Sequence, residues 1–138
     1  MIMKIKLDKG AIAPTRAHPF DAGLDLYSMN AFSIPSKLSG TLDTGVHVEI
    51  HEGCAGFIKS KSGLNVKCGL TADGVIDAHY TGSIAVKLYN HKSVDYHIKA
   101  GDKIAQLVIL PCALLPLELV DSLEETDRGD NGFGSTGR

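Results

Sequence analysis

Apolar and polar residues alternate with a period of two along much of this chain, whereas a helical period is almost absent. The alternation is clearest at residues 2–7, 46–51 and 84–89. Because successive side chains of a strand point to opposite faces of a sheet, this pattern predicts half-buried strands. Glycine-containing turn signals separate these stretches about every eight to twelve residues, which predicts an all-β sandwich or barrel. At most one short helix is expected, near residues 64–70.

Composition narrows the class of protein. The 138 residues predict a single domain, and the net charge of −2 gives no basic excess for general binding to nucleic acid or membranes. The three cysteines are odd in number and lack CxxC spacing, so free thiols in a reducing compartment are expected. No secretory segment is found, and the most apolar window, 104–117, is too short to span a bilayer. We therefore expect a cytoplasmic protein.

The composition changes after about Leu123, which predicts a β-barrel domain over residues 1–123 and a C-terminal arm over 124–138. The end of this arm, 128–138, combines many glycines with hydroxyl side chains, two arginines and the single aromatic residue Phe133. Backbone N–H groups, hydroxyls and guanidinium groups suit phosphates, and the ring suits a base. The alternative is a flexible tail. A dinucleotide-binding fingerprint is excluded because no helix follows the glycines.

Three polar stretches inside the predicted barrel are candidates for chemistry. Asp25 stands between two leucines, so it either faces solvent, the preferred interpretation, or is held there for a purpose. The stretch 59–64 carries two lysines and two serines before a glycine, which fits either a phosphate cradle or a solvated turn. Gln106 interrupts an apolar strand and needs a hydrogen-bond partner there. The six histidines show no metal-ligand pairing, since His47 and His51 lie on a predicted strand.

A further candidate is the hairpin around Asp77. Val75 and Ile76 predict a buried hairpin arm that ends at Asp77. A carboxylate beside an apolar wall is a candidate general base, because partial desolvation raises its basicity. Tyr80 would add a flat wall nearby. The alternative is an ordinary aspartate in a turn.

Five stretches, in this order along the chain, carry a family resemblance: DAGLDL (21–26), KSGL (61–64), GVIDAHY (74–80), GDKIAQL (101–107) and RGDNGFGSTG (128–137). Together they closely resemble the five ordered motifs of the trimeric dUTPases. The resemblance implies a β jelly roll that assembles as a homotrimer with shared active sites. One subunit would supply the first, second and fourth motifs, another the third motif, and a third the arm. The implied reaction is Mg²⁺-dependent hydrolysis of dUTP to dUMP and pyrophosphate.

The resemblance also implies roles for individual residues. Asp77 would activate the water that attacks the α-phosphorus, and Asp25 would hold the metal through water. Tyr80 would exclude a ribose 2′-hydroxyl, Phe133 would stack on uracil, and the arm would grip the γ-phosphate. The implied substrate-binding residues are Lys61, Ser62, Gly63, Gly74, Val75, Ile76, Tyr80, Gln106, Arg128, Phe133, Gly134, Ser135 and Thr136.

The chain departs from the family pattern at Lys61 and Lys103, where many members carry arginine. Lysine is a point charge without a bidentate fork, so phosphate or intersubunit contacts are expected to differ there. Two other functions remain open. One is a nucleotide sensor on the same scaffold that contacts a regulatory protein. The other is a dCTP deaminase, which would need a glutamate in the pocket rather than Asp77.

Overall fold

The computed structural model describes residues 2–137 and confirms an all-β fold with one short helix. Met1 and Arg138, the outer ends of the predicted domain and arm, lie outside the described residues. In chain order the elements are β1 (Lys4–Leu7), β2 (Gly23–Tyr27), β3 (Phe32–Ile34), β4 (Ser39–Asp43), β5 (Val46–Glu49), β6 (Cys54–Lys59), α1 (Ser62–Cys68), β7 (Leu70–Ile76), β8 (Ala85–Asn90), β9 (Tyr96–Ile98) and β10 (Lys103–Pro111). No helix among residues 2–137 is long and apolar enough to cross a membrane.

The strands form one large sheet and two small ribbons. The six-stranded sheet has the order β2-β10-β6-β7-β8-β4, and the ribbons pair β1 with β5 and β3 with β9. All these pairs are antiparallel. The non-sequential order places β10 between β2 and β6, so motifs far apart in sequence become neighbours.

The core follows the period-two pattern of the sequence. In β8, Val86 and Leu88 are buried, while Lys87 between them is exposed. Among residues 2–137, sixteen buried apolar residues from most strands and the segments between them join in one cluster. Burying a side chain of this size stabilises the fold by roughly 1.5–3 kcal/mol, so this cluster provides the main stabilisation.

The helix α1 begins two residues before the predicted position and ends at Cys68, and Gly69 caps its C-terminus. This glycine has a left-handed backbone (φ 63°), and its N–H donates to the Asn65 carbonyl at 3.0 Å. Glycine adopts such a conformation without the steric cost of a Cβ, which explains why the helix stops there. The helix begins after Lys61, so the second motif lies at the junction between β6 and α1.

The chain leaves the main sheet after β10. The Cys112 N–H still donates to the Gly53 carbonyl at 2.8 Å, but residues 113–137 contain no strand or helix. Apolar side chains there, such as Leu117 and Leu119, are fully exposed. Within one chain, this segment therefore adds nothing to the core.

Candidate active site

A cavity of about 400 Å³ opens where β2, β10 and β6 lie side by side. In the strand register, Gln106 stands directly between Asp25 and Lys59. The lining residues are Ala17, Asp21, Ala22, Gly23, Asp25, Lys59, Lys61, Gln106 and Val108. The sheet thus brings residues of the first, second and fourth motifs into one polar cavity, which we call the lysine cavity.

Asp25 is the buried charge of the lysine cavity, with 5 % of its surface exposed. Lys61 Nζ donates to one carboxylate oxygen, and Lys103 Nζ lies 2.8 Å from the other. Burial acts to raise the pKa of Asp25, but hydrogen bonds and charges of the two lysines outweigh it and lower the pKa. The preferred prediction that Asp25 faces solvent was therefore wrong. Neighbouring leucines could not reveal that two lysines distant in sequence would neutralise it.

Lys103 has two partners. Besides its contact with Asp25, its ammonium group lies 5.9 Å from the centre of the Tyr27 ring. The hydrogen bond to Asp25 and the carboxylate charge raise the pKa of Lys103, which favours its charged form. Sequence reasoning identified Lys103 only as a departure from arginine and missed its pairing with Asp25. The signal needed was the strand order.

Gln106 has the hydrogen-bond partner that the sequence required. Its Nε2 donates to the Ser60 carbonyl at 2.9 Å. Gly23 on β2 lies directly against this side chain, since a Cβ there would come within 2.0 Å of Gln106 Oε1. The glycine of the first motif thus makes room for the glutamine of the fourth.

Ser62 and Gly63 lie in the exposed first turn of α1, directly after Lys61. The N–H groups of a first turn have no partner within the helix. Lys61 makes no side-chain hydrogen bond that caps the helix. This turn therefore presents donors beside the lysine cavity.

The hairpin of the third motif lies at the opposite end of β6 from the lysine cavity. Gly74, Val75 and Ile76 pair with β6 on one side, whereas β8 pairs with β7 only over residues 70–72. The second backbone edge of 74–76 therefore has no strand partner among the described residues. Val75 is 59 % exposed, whereas Ile76 is partly buried and packs against the core, so the prediction of a buried hairpin arm was wrong for Val75 in the single chain. The reason is that Val75 shares its face of β7 with the exposed Asp73, whereas Ile76 lies on the face that carries the buried Leu70 and Ala72.

Asp77 follows this open edge and is exposed. It lines a second cavity of about 520 Å³, together with Val75, Phe57 and Leu114 among others. The expected desolvating wall beside Asp77 is thus incomplete in one chain. The Asp77 carbonyl accepts a hydrogen bond from the Tyr80 N–H at 3.2 Å, which closes the turn.

Tyr80 is half exposed, and its orientation is fixed by the residues that follow it. Its hydroxyl donates to the Ser83 carbonyl at 3.1 Å. A Cβ on Gly82 would lie 2.4 Å from that hydroxyl, so only glycine allows the ring to approach so closely. Between Asp77 and Tyr80, His79 has a left-handed backbone (φ 68°) and contacts Glu52 at 3.1 Å.

The arm carries its predicted residues on short turns. Ser135 N–H donates to the Gly132 carbonyl at 3.1 Å, and Arg128 Nε donates to the Asn131 carbonyl at 3.2 Å. Phe133 is fully exposed, and Gly134, Ser135 and Thr136 are exposed with it. Through Gly137, the backbone hydrogen bonds of these turns stay within the arm.

The predicted site residues therefore form three separate groups in one chain. Asp25, Gln106, Lys59 and Asp73 lie in one row across the sheet, and Asp77 lies four residues beyond Asp73. Three strand spacings and four strand residues place Asp77 roughly 19 Å from Asp25. The cavities of Asp25 and Asp77 share no lining residue. The Asp25 group and the Asp77 group therefore lie apart from each other in one chain.

The donors of the lysine cavity suit phosphates, and the Asp25 carboxylate suits a metal that arrives with them. In residues 2–137, no three His, Cys, Asp or Glu side chains come together as a metal site. Magnesium is commonly held by one or two carboxylates, waters and substrate phosphates. Asp25 accepts one lysine on each oxygen, and a carboxylate oxygen accepts a second hydrogen bond. The residues present therefore fit a magnesium ion that is held through water.

Comparisons with known proteins identify relatives of this chain. A family model described as dUTPase matches residues 9–137. The probable deoxyuridine 5′-triphosphate nucleotidohydrolase of Schizosaccharomyces pombe is 43 % identical over 133 residues, which cover 96 % of this chain and 95 % of that protein. The deoxyuridine 5′-triphosphate nucleotidohydrolase of Candida glabrata is 39 % identical over 140 residues, 99 % of this chain and 97 % of that protein.

Solved structures of dUTPases resemble the fold of this chain. The dUTPase of Staphylococcus bacteriophage 80alpha with dUPNHPP has a TM-score of 0.92 and 31 % identity, with 99 % of each chain covered. That phage enzyme is described as controlling transfer of virulence genes by a proto-oncogenic G protein-like mechanism. A mutant dUTPase from phage phi11 of S. aureus has a TM-score of 0.83 and 28 % identity, covering 91 % of this chain and 100 % of that one. The structure of that mutant reveals the coordination of a structural Mg(II) ion.

Proposed function

The chain belongs to the dUTPase family and is a dUTP nucleotidohydrolase, and we propose that it uses Mg²⁺ and an Asp77-activated water that attacks the α-phosphorus. The products are dUMP and pyrophosphate. The observation that carries this proposal is that the open backbone edge of 74–76 ends directly at the Asp77 carboxylate. One short element thus offers both hydrogen bonds for a base and a group that accepts a proton.

The base and sugar bind at the hairpin in this proposal. The unpaired N–H and C=O groups of Gly74, Val75 and Ile76 hydrogen-bond the edge of uracil. Such a backbone edge is rigid because its other side is paired with β6. Tyr80 packs against the deoxyribose and leaves no room for a 2′-hydroxyl. Rejection of an added group requires a tight and rigid pocket, and the contacts of Tyr80 with Gly82 and Ser83 supply that rigidity.

The phosphates bind at the lysine cavity. Lys61 and the donors of Ser62 and Gly63 hold phosphate oxygens, and Gln106 positions phosphate or water. Asp25 holds the metal through water, and Mg²⁺ supplies neutralisation of phosphate charge when bound. Phosphoryl transfer depends mainly on positioning and charge neutralisation, which this set of donors provides.

The complete site is shared between subunits of a homotrimer. Asp77 of one chain lies too far from Asp25 of the same chain for one substrate, so the hairpin of one subunit faces the lysine cavity of another. The arm, residues 124–138, comes from a third subunit. Phe133 stacks on uracil, Arg128, Ser135 and Thr136 grip the γ-phosphate, and Gly134 lets the backbone approach it. Closure of the arm excludes water other than the nucleophile.

The test is pyrophosphate release with Mg²⁺ from dUTP, dTTP, dCTP and UTP, each measured separately. Release from dUTP alone supports the proposed pocket, because the methyl, amino and hydroxyl differences are then all rejected. Tight dUTP binding without release would replace the proposal by a nucleotide sensor with a regulatory protein partner. Ammonia from dCTP would replace it by a deaminase.

A further inference from the structure

The loop that follows Asp77 is fastened to the small β1–β5 ribbon as well as to the main sheet. Ser83 Oγ donates to Asp43, and the Ile84 N–H donates to the Val46 carbonyl at 2.8 Å. Between these contacts and Tyr80 lies Thr81, whose carbonyl is contacted by a histidine from β5. A side chain from β5 therefore holds the backbone next to Tyr80, and we call this contact the clasp.

His47 makes this clasp with both nitrogens of its ring. Nδ1 donates to the Thr81 carbonyl at 2.7 Å, and Nε2 lies 3.1 Å from the Asp8 carboxylate. The His47 side chain is 18 % exposed. The ring thus bridges the segment after β1 and the loop after Asp77, two parts of the chain joined by no backbone hydrogen bond at this point.

The chemistry of these partners requires a protonated ring. A carbonyl and a carboxylate only accept hydrogen bonds, and only the imidazolium form has donors on both nitrogens. The bond to Thr81 first, and then the bond to Asp8, raise the pKa of His47. Lys6, which faces His47 across the ribbon, opposes this rise, whereas Asp43 favours the charged ring. Lys4 and Glu49 line the same cavity as His47 but pair with each other at 3.2 Å.

We propose that His47 is a positioning residue for substrate discrimination: its doubly hydrogen-bonded ring holds the Thr81 backbone and thereby fixes Tyr80 against the sugar. This inference rests on the proposed role of Tyr80. His47 touches no substrate. When the ring loses one proton, either Nδ1 stops donating to the Thr81 carbonyl or Nε2 stops donating to Asp8, and in both cases the ring no longer ties Thr81 to the segment after β1. Discrimination against a 2′-hydroxyl is then the property that suffers first, because it depends on small displacements of the Tyr80 ring.

The test compares kcat/KM for dUTP and for UTP in wild type, His47→Gln and His47→Ala. The ratio of the two values should fall about tenfold in His47→Ala, a size typical of steric discrimination. His51→Ala is the matched control, since His51 contacts the Ile2 carbonyl at 3.1 Å and not the loop. An unchanged ratio in both His47 variants would overturn the proposal, as would an equal fall in the His51→Ala control.

The pH profile supplies a readout that a general loss of stability would not move. From about pH 5.5 to about pH 8.5, the dUTP-to-UTP ratio of wild type should decrease with the titration of His47, whereas that of His47→Gln should stay flat. The titration itself is followed by NMR of the His47 ring. A wild-type ratio that stays constant while the ring titrates would contradict the clasp.

A second variant covers the case in which the His47 variants fail to fold. Asp8→Asn keeps the shape of the partner but removes its charge, so the NMR pKa of His47 should fall and the selectivity profile should shift to lower pH with it. No shift of either quantity would overturn the proposal. If wild type releases no pyrophosphate from dUTP, the function proposed above has failed. If wild type is active and the His47 and Asp8 variants match it, only the clasp has failed.

Discussion

The proposal that the Asp77 hairpin and the arm of one site come from different subunits predicts that two inactive variants restore each other when mixed. The first variant is Asp77→Asn, which should lower kcat by roughly 10²–10⁴-fold because it removes the proposed general base. The second lacks residues 127–138 and should also have little activity, because it lacks Phe133 and the γ-phosphate ligands. Neither change touches the core: Asp77 is exposed, and the deleted side chains are exposed through Gly137. Both variants should therefore assemble normally.

The expected recovery follows from how subunits combine. The chain leaves β10 near its own Asp77, since Cys112 and Leu114 line the same cavity as that residue. An arm that starts there could reach either its own hairpin or another one. If the hairpin and the arm of one site come from different subunits, random assembly of an equal mixture gives roughly one quarter of the sites an intact pair. If both come from the same subunit, no site has both.

The assay unfolds and refolds the two variants together, verifies mixed trimers by native mass spectrometry, and measures pyrophosphate release from dUTP. Activity near a quarter of wild type, highest at equal proportions, is expected. The variants mixed without refolding are the control and should stay inactive. Mixed trimers that remain as inactive as the parents would refute the idea that hairpin and arm are supplied by different subunits.

Three further predictions test individual contacts. Asp25→Asn should lower the free energy of unfolding by about 1–2 kcal/mol at pH 7, since two lysines lose their charged partner. Because the pKa of Asp25 is lowered in the folded state, this difference from wild type should shrink as pH falls below the ordinary pKa of 3.8. Denaturant titrations measure the difference, and a difference that stays constant with pH would contradict the pairing. Phe133→Ala should raise the KM for dUTP by about tenfold or more, the value of one base–aromatic stack, with an unchanged unfolding midpoint; an unchanged KM would exclude stacking. Gly23→Ala would place a methyl group 2.0 Å from Gln106 Oε1 and should lower kcat/KM by about tenfold. The control is Gly53→Ala, since a Cβ at Gly53 meets nothing within 4 Å. This control measures the cost of replacing a glycine with a left-handed backbone and does not affect the cavity. Equal kinetics in these two glycine variants would show that Gln106 need not hold its position.

The sequence by itself predicted the fold class and several elements of this chain. The period-two alternation at 46–51 and 84–89 corresponds to β5 and β8, and the single helix lies within two residues of its expected position. These predictions succeed because side-chain direction in a strand depends only on local geometry. The five ordered motifs also led directly to the family. Each motif is a contiguous stretch, so a one-dimensional pattern is enough to recognise it.

The tertiary structure decided which residues meet. Asp25 was expected to face solvent, yet it is buried because strand order brings Lys61 and Lys103 to it from distant positions. Val75 was expected to be buried, yet it is exposed because it lies on the same face of β7 as the exposed Asp73. His47 gave no signal in the sequence, since its partners Asp8 and Thr81 are far from it along the chain. Alternation fixes the face of a strand that a residue occupies, but charge pairing and burial depend on neighbours that only the folded sheet supplies.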